Sequence, residues 1–512
     1  MRTLLLIALL LPLHAKAQGL NKVFLLPGAL ANAIVKLSIE NDTIVAYGGV
    51  IDSLGKYGVH LSKFDSLGNL LSSARYFHPL GKPCFAYTVS GLCKTSDGGH
   101  FAVGGINSGD AIVLLKFSAS GELEWAKELK DPALRVMYGF GVVECEGGYL
   151  IVGPVQYQNY DVDGRISKVS SSGDLIWRKD YGSLSYRETL GDIRKKGENS
   201  FFVSGEQNNR LGLNDPNLLM RPWIFEMDSM GTVLSEWLPD FLESMAGGFI
   251  QLEGDDGIVL LTSKAHYFPN PGTRYMEFVL RKLDTGTWQT LWQGSITGGP
   301  VSTYFGFMYG LAQNPVDGAW DAVGVFHKKL AGGVRSGMSA HVSSVDGSNI
   351  WVRTDTAYLS PLLDNESRLF GIGHLSSGSI VAGGAVLTDE GGDLREEAWL
   401  LKIGIDGCTV PGDCAPKVPA REPVRTSALK WLMFPNPATS HTYLVSDREM
   451  EGRPCTVSLF DQQGRLVREQ VFTVLGGQPV RVSLEGLPPG VYAYRVLTER
   501  GEVGAGKVMV GW

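Results

Sequence analysis

Between Lys22 and Ile403 short apolar runs alternate with turns built on glycine, aspartate and serine, and the alternation itself repeats. Its clearest element is a turn found at Lys63-Phe64-Asp65-Ser66-Leu67-Gly68, Lys116-Phe117-Ser118-Ala119-Ser120-Gly121 and Lys168-Val169-Ser170-Ser171-Ser172-Gly173. Diverged copies lie at 227–231, 283–286, 342–347 and 403–407, which places the turn glycines at 68, 121, 173, 231, 286, 347 and 407. Period-two patterning on either side of such a glycine predicts a β-hairpin. The strand after the turn often holds a tryptophan, as at Trp125 and Trp177.

Further upstream in each copy runs a second strand that ends in glycine: Ile44 to Gly48, Phe101 to Gly104, Tyr149 to Gly153, Phe201 to Gly205 and Ile380 to Gly383. Strands at 258–261 and 320–325 take the same slot, and Asp/Gly turns such as Asp97-Gly98-Gly99 and Asp317-Gly318 precede them. One more strand before each turn completes four per unit. Antiparallel units of four strands repeated every 52 to 61 residues predict a β-propeller with seven blades, and hence an all-β fold over residues 18–408. The last unit lacks a good fourth strand, while Lys22 to Leu26 stands alone before the first. That early strand is expected to complete the last blade and close the ring.

The repeat stops after Cys408, and 409–430 reads as a linker. A new domain, 431–512, opens on Phe434-Pro435-Asn436-Pro437, whose prolines remove backbone donors and fix φ. A strand, turn and strand follow around Asp461 and Gly464, then Pro489-Gly490-Val491-Tyr492 leading into an alternating strand, and a final strand at Lys507 to Val510. This order of motifs resembles the type A sorting domain of type IX secretion, carried here by Pro435, Asn436, Pro437, Asp461, Gly464, Gly490, Tyr492 and Lys507. The resemblance implies a small immunoglobulin-like β-sandwich recognised at the outer membrane of a Gram-negative bacterium. It also implies the type IX machinery and its sortase as partners, with the cargo released or attached to surface lipopolysaccharide. The chain departs from the pattern at its end, where Gly511 and Trp512 follow the last strand.

Residues 1–17 fit the same destination: Arg2, an apolar run from Leu4 to Leu13, and the triplet Ala15-Lys16-Ala17 form a signal peptide. That run is too short to span a bilayer and no later one is longer, so no transmembrane segment is expected. Removal of residues 1–17 moves the net charge from −7 to −9. An acidic chain without a basic block gains little from counterion release, which argues against nucleic acid as a partner.

Six cysteines in an exported chain are open to oxidation. Cys408 and Cys414 flank Thr-Val-Pro-Gly-Asp, a segment suited to a small closed loop, and Cys84 with Cys93 is a second pairing. Cys145 and Cys455 fit buried free thiols. The chain carries no Cys-x-x-Cys, nucleophile-elbow, dinucleotide or phosphate-loop motif, and its nine histidines are scattered.

The turns around Asp284 to Trp288 with Trp292 are partly similar to quinoprotein repeats, where such residues lock neighbouring blades. Ser344 to Gly347 with Trp351 resembles the Asp-box of sialidases, one residue out of step. Neither likeness carries catalysis. Carboxylates at Asp161 and Asp163 and at Asp389 to Glu397 offer hard oxygen ligands. The twelve-residue calcium loop is missing, so solvated charge is expected there, with calcium as the alternative and no other cofactor. Five Asp-Ser/Thr-apolar triplets, beginning at Asp42, Asp52, Asp65, Asp228 and Asp355, resemble an O-glycosylation signal, and turn chemistry accounts for them equally well.

Together these readings favour a secreted or surface-held propeller that binds or displays, without catalysis. Its ligand would be an extracellular glycan or protein met on the loop face and in the central channel. The alternatives are a polysaccharide-acting hydrolase or lyase on the same scaffold and a purely structural surface protein. Insertions at 208–221, 265–275 and 387–397 are the loops expected to matter.

Overall fold

Side chains alternate sides along a strand, so a strand held between two sheets must be apolar at every position rather than at every second one. That requirement explains the unbroken apolar runs. A computed structural model describes residues 20–87, 90–183, 185–209, 220–239, 249–253, 257–267, 274–297, 301–328, 335–357, 366–389, 394–410, 413–414, 431–434, 438–446, 453–461, 465–474, 480–498 and 503–511. Every element among them is a strand, in two compact units, Met1–Ala420 and Arg421–Trp512.

The first unit contains seven antiparallel blades. Blade 4 gives the pattern: Arg187–Lys195 innermost, then Ser200–Asn208, Met220–Asp228 and Val233–Trp237. The other innermost strands are Lys36–Glu40, Leu92–Lys94, Gly141–Cys145, Phe249–Glu253, Val301–Gln313 and Ser367–His374. Each touches the next around the axis, and the last touches the first. The ring is therefore closed, as a seven-bladed β-propeller. Blades 5 and 6 share two extra rungs, Tyr275 with Ser302 and Met276 with Val301.

Closure comes from the strand Asn21–Phe24, which pairs antiparallel with Arg395–Ile403 and sets Val23 opposite Trp399. The Trp399 indole N–H donates to Asn21 Oδ1 at 2.8 Å. The lone early strand is thus the missing fourth strand of blade 7.

Between each pair of blades lies one apolar core, seven in all. In His100–Ile106 all seven residues are buried. Phe101 and Val103 pack forward onto Val142 and Ile151 of blade 3, whereas Ala102 and Ile106 pack back onto Val45 and Leu61 of blade 1. The rings of Phe101 and Tyr149 stack across that joint with centroids 3.8 Å apart.

The recurring strand-ending glycines have a common cause. A Cβ on Gly48, Gly104, Gly153, Gly205 or Gly324 would collide with a carbonyl in or just before the same blade's inner strand: Ala33, Phe85, Tyr138, Thr189 and Phe307 respectively. In blade 7 the slot belongs to Gly384 against Arg368, one residue beyond the glycine that the pattern picks out. In several blades the ladder there slips by one residue, as between Leu190 and Asp192 and between Leu369 and Gly371. Such a bulge bends the inner strand.

In the second unit Trp431–Phe434, His441–Ser446 and Val480–Ser483 form one sheet. Leu466–Val474, Arg453–Phe460, Gly490–Thr498 and Val503–Val510 form the other. Leu444, Val457, Leu459, Val482, Tyr494, Val496 and Val508 share a core between the two sheets, which makes the unit a two-sheet sandwich.

Candidate functional site

The bulged inner strands bring polar side chains to the axis. Arg194 of blade 4 donates from Nε to the carbonyl of Ile250 in blade 5 at 3.0 Å and from Nη2 to Ser90 Oγ in blade 2 at 3.3 Å. One guanidinium therefore joins three blades across the channel. Its counter-ion is Asp192, fully buried and 3.1 Å away, which also accepts from the backbone N–H groups of Ile193 and Ile250. Lys36 of blade 1 shares this region. Burial and the Arg194 charge lower its pKa to about 8, with Asp192 opposing them.

On the face where the blade-to-blade connections lie, blades 6 and 7 hold a charged and aromatic group. Glu366 pairs with Arg335 at 2.6 Å and with Arg368, and Arg368 lies 3.9 Å from Glu396. Tyr309 meets Phe370 edge to face at 5.1 Å and Phe307 at 6.0 Å. Burial lifts the Tyr309 hydroxyl to about 12 against the pull of Arg368 and Arg335. Blades 2 and 3 add Tyr87, Tyr138 and Phe140, whose centroids are 5.1 to 5.8 Å apart. In blade 4, desolvation raises Glu206 to about 7, and its buried Oε2 has no hydrogen-bond partner. Residues 210–219, 268–273 and 390–393 of the three insertions lie outside the described residues.

At the opposite face is a buried histidine network between blades 6 and 7. His341 contacts Asp321 at 2.7 Å through Nδ1 and Asp317 at 2.9 Å through Nε2, and His374 Nε2 meets the other Asp321 oxygen at 2.8 Å. Asn314 joins the same oxygen at 3.1 Å and donates to Gly378 of blade 7, so the network acts as a structural latch.

Metal ligands are sparse among the described residues. The grouping with suitable spacing is Asp406 with Cys408 and Cys414, whose two sulfurs are joined in a disulfide. Asp161 spends an oxygen on the Val162 N–H. Cys84 and Cys93 stay free, because they pair with Ile106 and Phe101, five residues apart on one strand. That is roughly 16 Å, well beyond disulfide reach. Cys145 and Cys455 are buried free thiols.

In the sandwich, Asp461 caps its turn by accepting from the Arg465 backbone N–H at 2.9 Å and from Arg465 Nε at 2.7 Å. Gly490 opens the strand that carries Tyr492, whose hydroxyl donates to the Pro488 carbonyl at 2.6 Å, and Lys507 sits opposite Ala493. Ala438 bonds on both sides of the last strand's end, donating to Met509 and accepting from Gly511. Pro435, Asn436, Pro437 and Gly464 lie outside the described residues.

Residues 432–510 match the family described as the secretion system C-terminal sorting domain. This tail is a type IX sorting domain. A sorting domain directs export, so the protein is secreted or held at the cell surface. No helix among the described residues is long and apolar enough to cross a membrane.

No curated protein matches the chain. Among solved structures, an ACO/RPE65 chimera overlaps 61% of this chain and 69% of its own at 12% identity and TM-score 0.37. A Synechocystis apocarotenoid oxygenase mutant overlaps the same shares at 12% identity and TM-score 0.38. Overlap that loose carries no argument, and the fold rests on the strand pairing.

Lys36, Arg194 and Glu206 were not singled out by the sequence motifs. For Lys36 the signal was a charge beside an apolar run, Ala33-Ile34-Val35-Lys36-Leu37, whereas Arg194 sits in a strand rich in charge and nothing marks it.

Proposed function

We propose that the chain is an exported binding protein: a cargo propeller over 18–408, a linker over 409–430 and the sorting domain over 431–512. The export machinery and its sortase grip the sorting domain, and Asp461, Gly490, Tyr492 and Lys507 hold the surface they read. The propeller then meets an extracellular glycan or protein, free or from the lipopolysaccharide-coated surface. The observation that carries this reading is the Arg335, Glu366 and Arg368 cluster, with Tyr309 and Phe370, on the loop face of blades 6 and 7. Aromatic faces and a carboxylate fixed by arginines suit recognition, and a carboxylate so neutralised is a poor general base.

Glu206 favours the second reading, a polysaccharide-acting hydrolase or lyase, because a carboxyl held near 7 is suited to act as a general acid. A glycan array followed by product analysis separates the two. Binding without new products supports the module, and turnover abolished by Glu206→Gln supports the enzyme. Deletion of residues 434–512 tests the destination, with accumulation in the periplasm expected and normal release refuting it.

A further inference from the structure

Among the described residues the axial cluster sets two cations, Lys36 and Arg194, against one carboxylate, Asp192. Among those residues Asp192 is the one carboxylate acting on Lys36, and Arg194 and two backbone N–H groups already occupy it. Lys36 Nζ has neither a hydrogen bond nor an ion pair among the described residues. An enclosed ammonium without a partner is costly, and an incoming anion removes that cost. Lys36 as a residue is half-buried rather than sealed, which leaves an approach for an anion. Ser90, already accepting from Arg194, retains a hydroxyl proton with no acceptor among the described residues. One strand away, Gly371 packs directly on the Lys36 backbone, and its neighbour Phe370 belongs to the aromatic group with Tyr309.

We propose that the propeller's axial channel binds the carboxylate of an acidic saccharide, with Lys36 and the Ser90 hydroxyl as donors and Arg194 holding the positive field. The proposal deepens the binding reading and rests on it. A neutral hexose has no group to pair with the amine, so discrimination should follow charge.

The test uses the mature, full-length protein with galacturonate, galactose and acetate. Labelling of the Lys36 amine by an acylating reagent, read by peptide mass spectrometry, should fall at least fivefold with galacturonate and stay unchanged with galactose. Acetate should protect in part, because it carries the carboxylate alone. In calorimetry Lys36→Met should weaken galacturonate binding at least tenfold, and Lys36→Arg should restore part of it. Labelling unaffected by either carboxylate overturns the site. Glycan-array binding that persists in Lys36→Met also overturns the site while leaving the binding module intact. Absence of any saturable ligand, on the array or in calorimetry, refutes the binding reading itself. The labelling arm needs no variant, so a misfolded substitution leaves the test decisive.

Discussion

The indole edge of Trp125 in blade 2 lies against Gly173, the turn glycine of blade 3, so closely that a Cβ there would sit 2.8 Å from Cη2 and Cζ3. The relationship recurs: Trp177 lies against Gly231 and Trp292 against Gly347, and at the closing joint Leu20 takes the indole's place against Gly68. The two repeated sequence features, tryptophan strand and glycine turn, are halves of one inter-blade lock. All four glycines have φ between 72° and 85°, so both the backbone and the neighbouring blade demand glycine.

Breaking a lock should therefore be costly. Trp351 is fully buried, donates to the Ile405 carbonyl at 3.0 Å and stacks on His341. Trp351→Ala is expected to lose about 4 kcal/mol. Gly231→Ala, which meets Trp177 and forces a positive φ, is expected to lose about 2 kcal/mol. Denaturant unfolding of each variant measures both.

Removing residues 18–24 should uncover the edge of Arg395–Ile403 and strand the Trp399 indole. The truncated propeller is expected to melt several degrees lower and to self-associate through the open edge. Amide exchange at Leu400 and Lys402, whose N–H groups face the lost strand, should become faster than in the intact ring.

Three buried groups, His60, Glu206 and His341, contribute to the response to pH. Desolvation holds His60 at about 4, below its ordinary 6.5, so the unfolded chain binds the extra proton and stability falls as pH drops from 6.5 towards 4. That contribution is about 3 kcal/mol. Glu206 acts with the opposite sign: its carboxyl stays protonated in the fold to about 7, so stability falls as pH rises from 4.5 to 7. The carboxylates of Asp321 and Asp317 outweigh desolvation and raise His341, whose contribution is complete below 6.5 and is lost as pH rises through its folded value. Melting curves from pH 4 to 8 should show His60→Gln flattening the acid side and Glu206→Gln removing a fall of about 3 kcal/mol between 4.5 and 7.

The Cys408 and Cys414 bridge closes a short loop that receives Arg353, which donates to the carbonyls of Gly407 and Asp413. Replacing both cysteines with serine is expected to lose about 2 kcal/mol. Melting with and without a reductant should show the same difference in the native chain and none in the variant.

The repeat was legible because each blade solves the same packing problem with the same residues. Hairpin glycines, tryptophan strands and all-apolar strands follow from local geometry, so their spacing alone yields seven blades. The sorting domain was equally legible, since its turn residues are adjacent in sequence: Asp461 caps its own turn, and Tyr492 bonds to Pro488 four residues away. The axial cluster was not legible. Arg194 meets Ser90 from 104 residues away, and nothing in either neighbourhood marks the other.

What the sequence determined by itself is thus the number of blades, the closing strand and the address, because each depends on short-range period or adjacent motifs. The ring decided what sits at the axis. Only when seven inner strands converge do Asp192 and Arg194 come close enough to Lys36 for their charges to act on its amine, an influence too weak to matter across an unfolded chain.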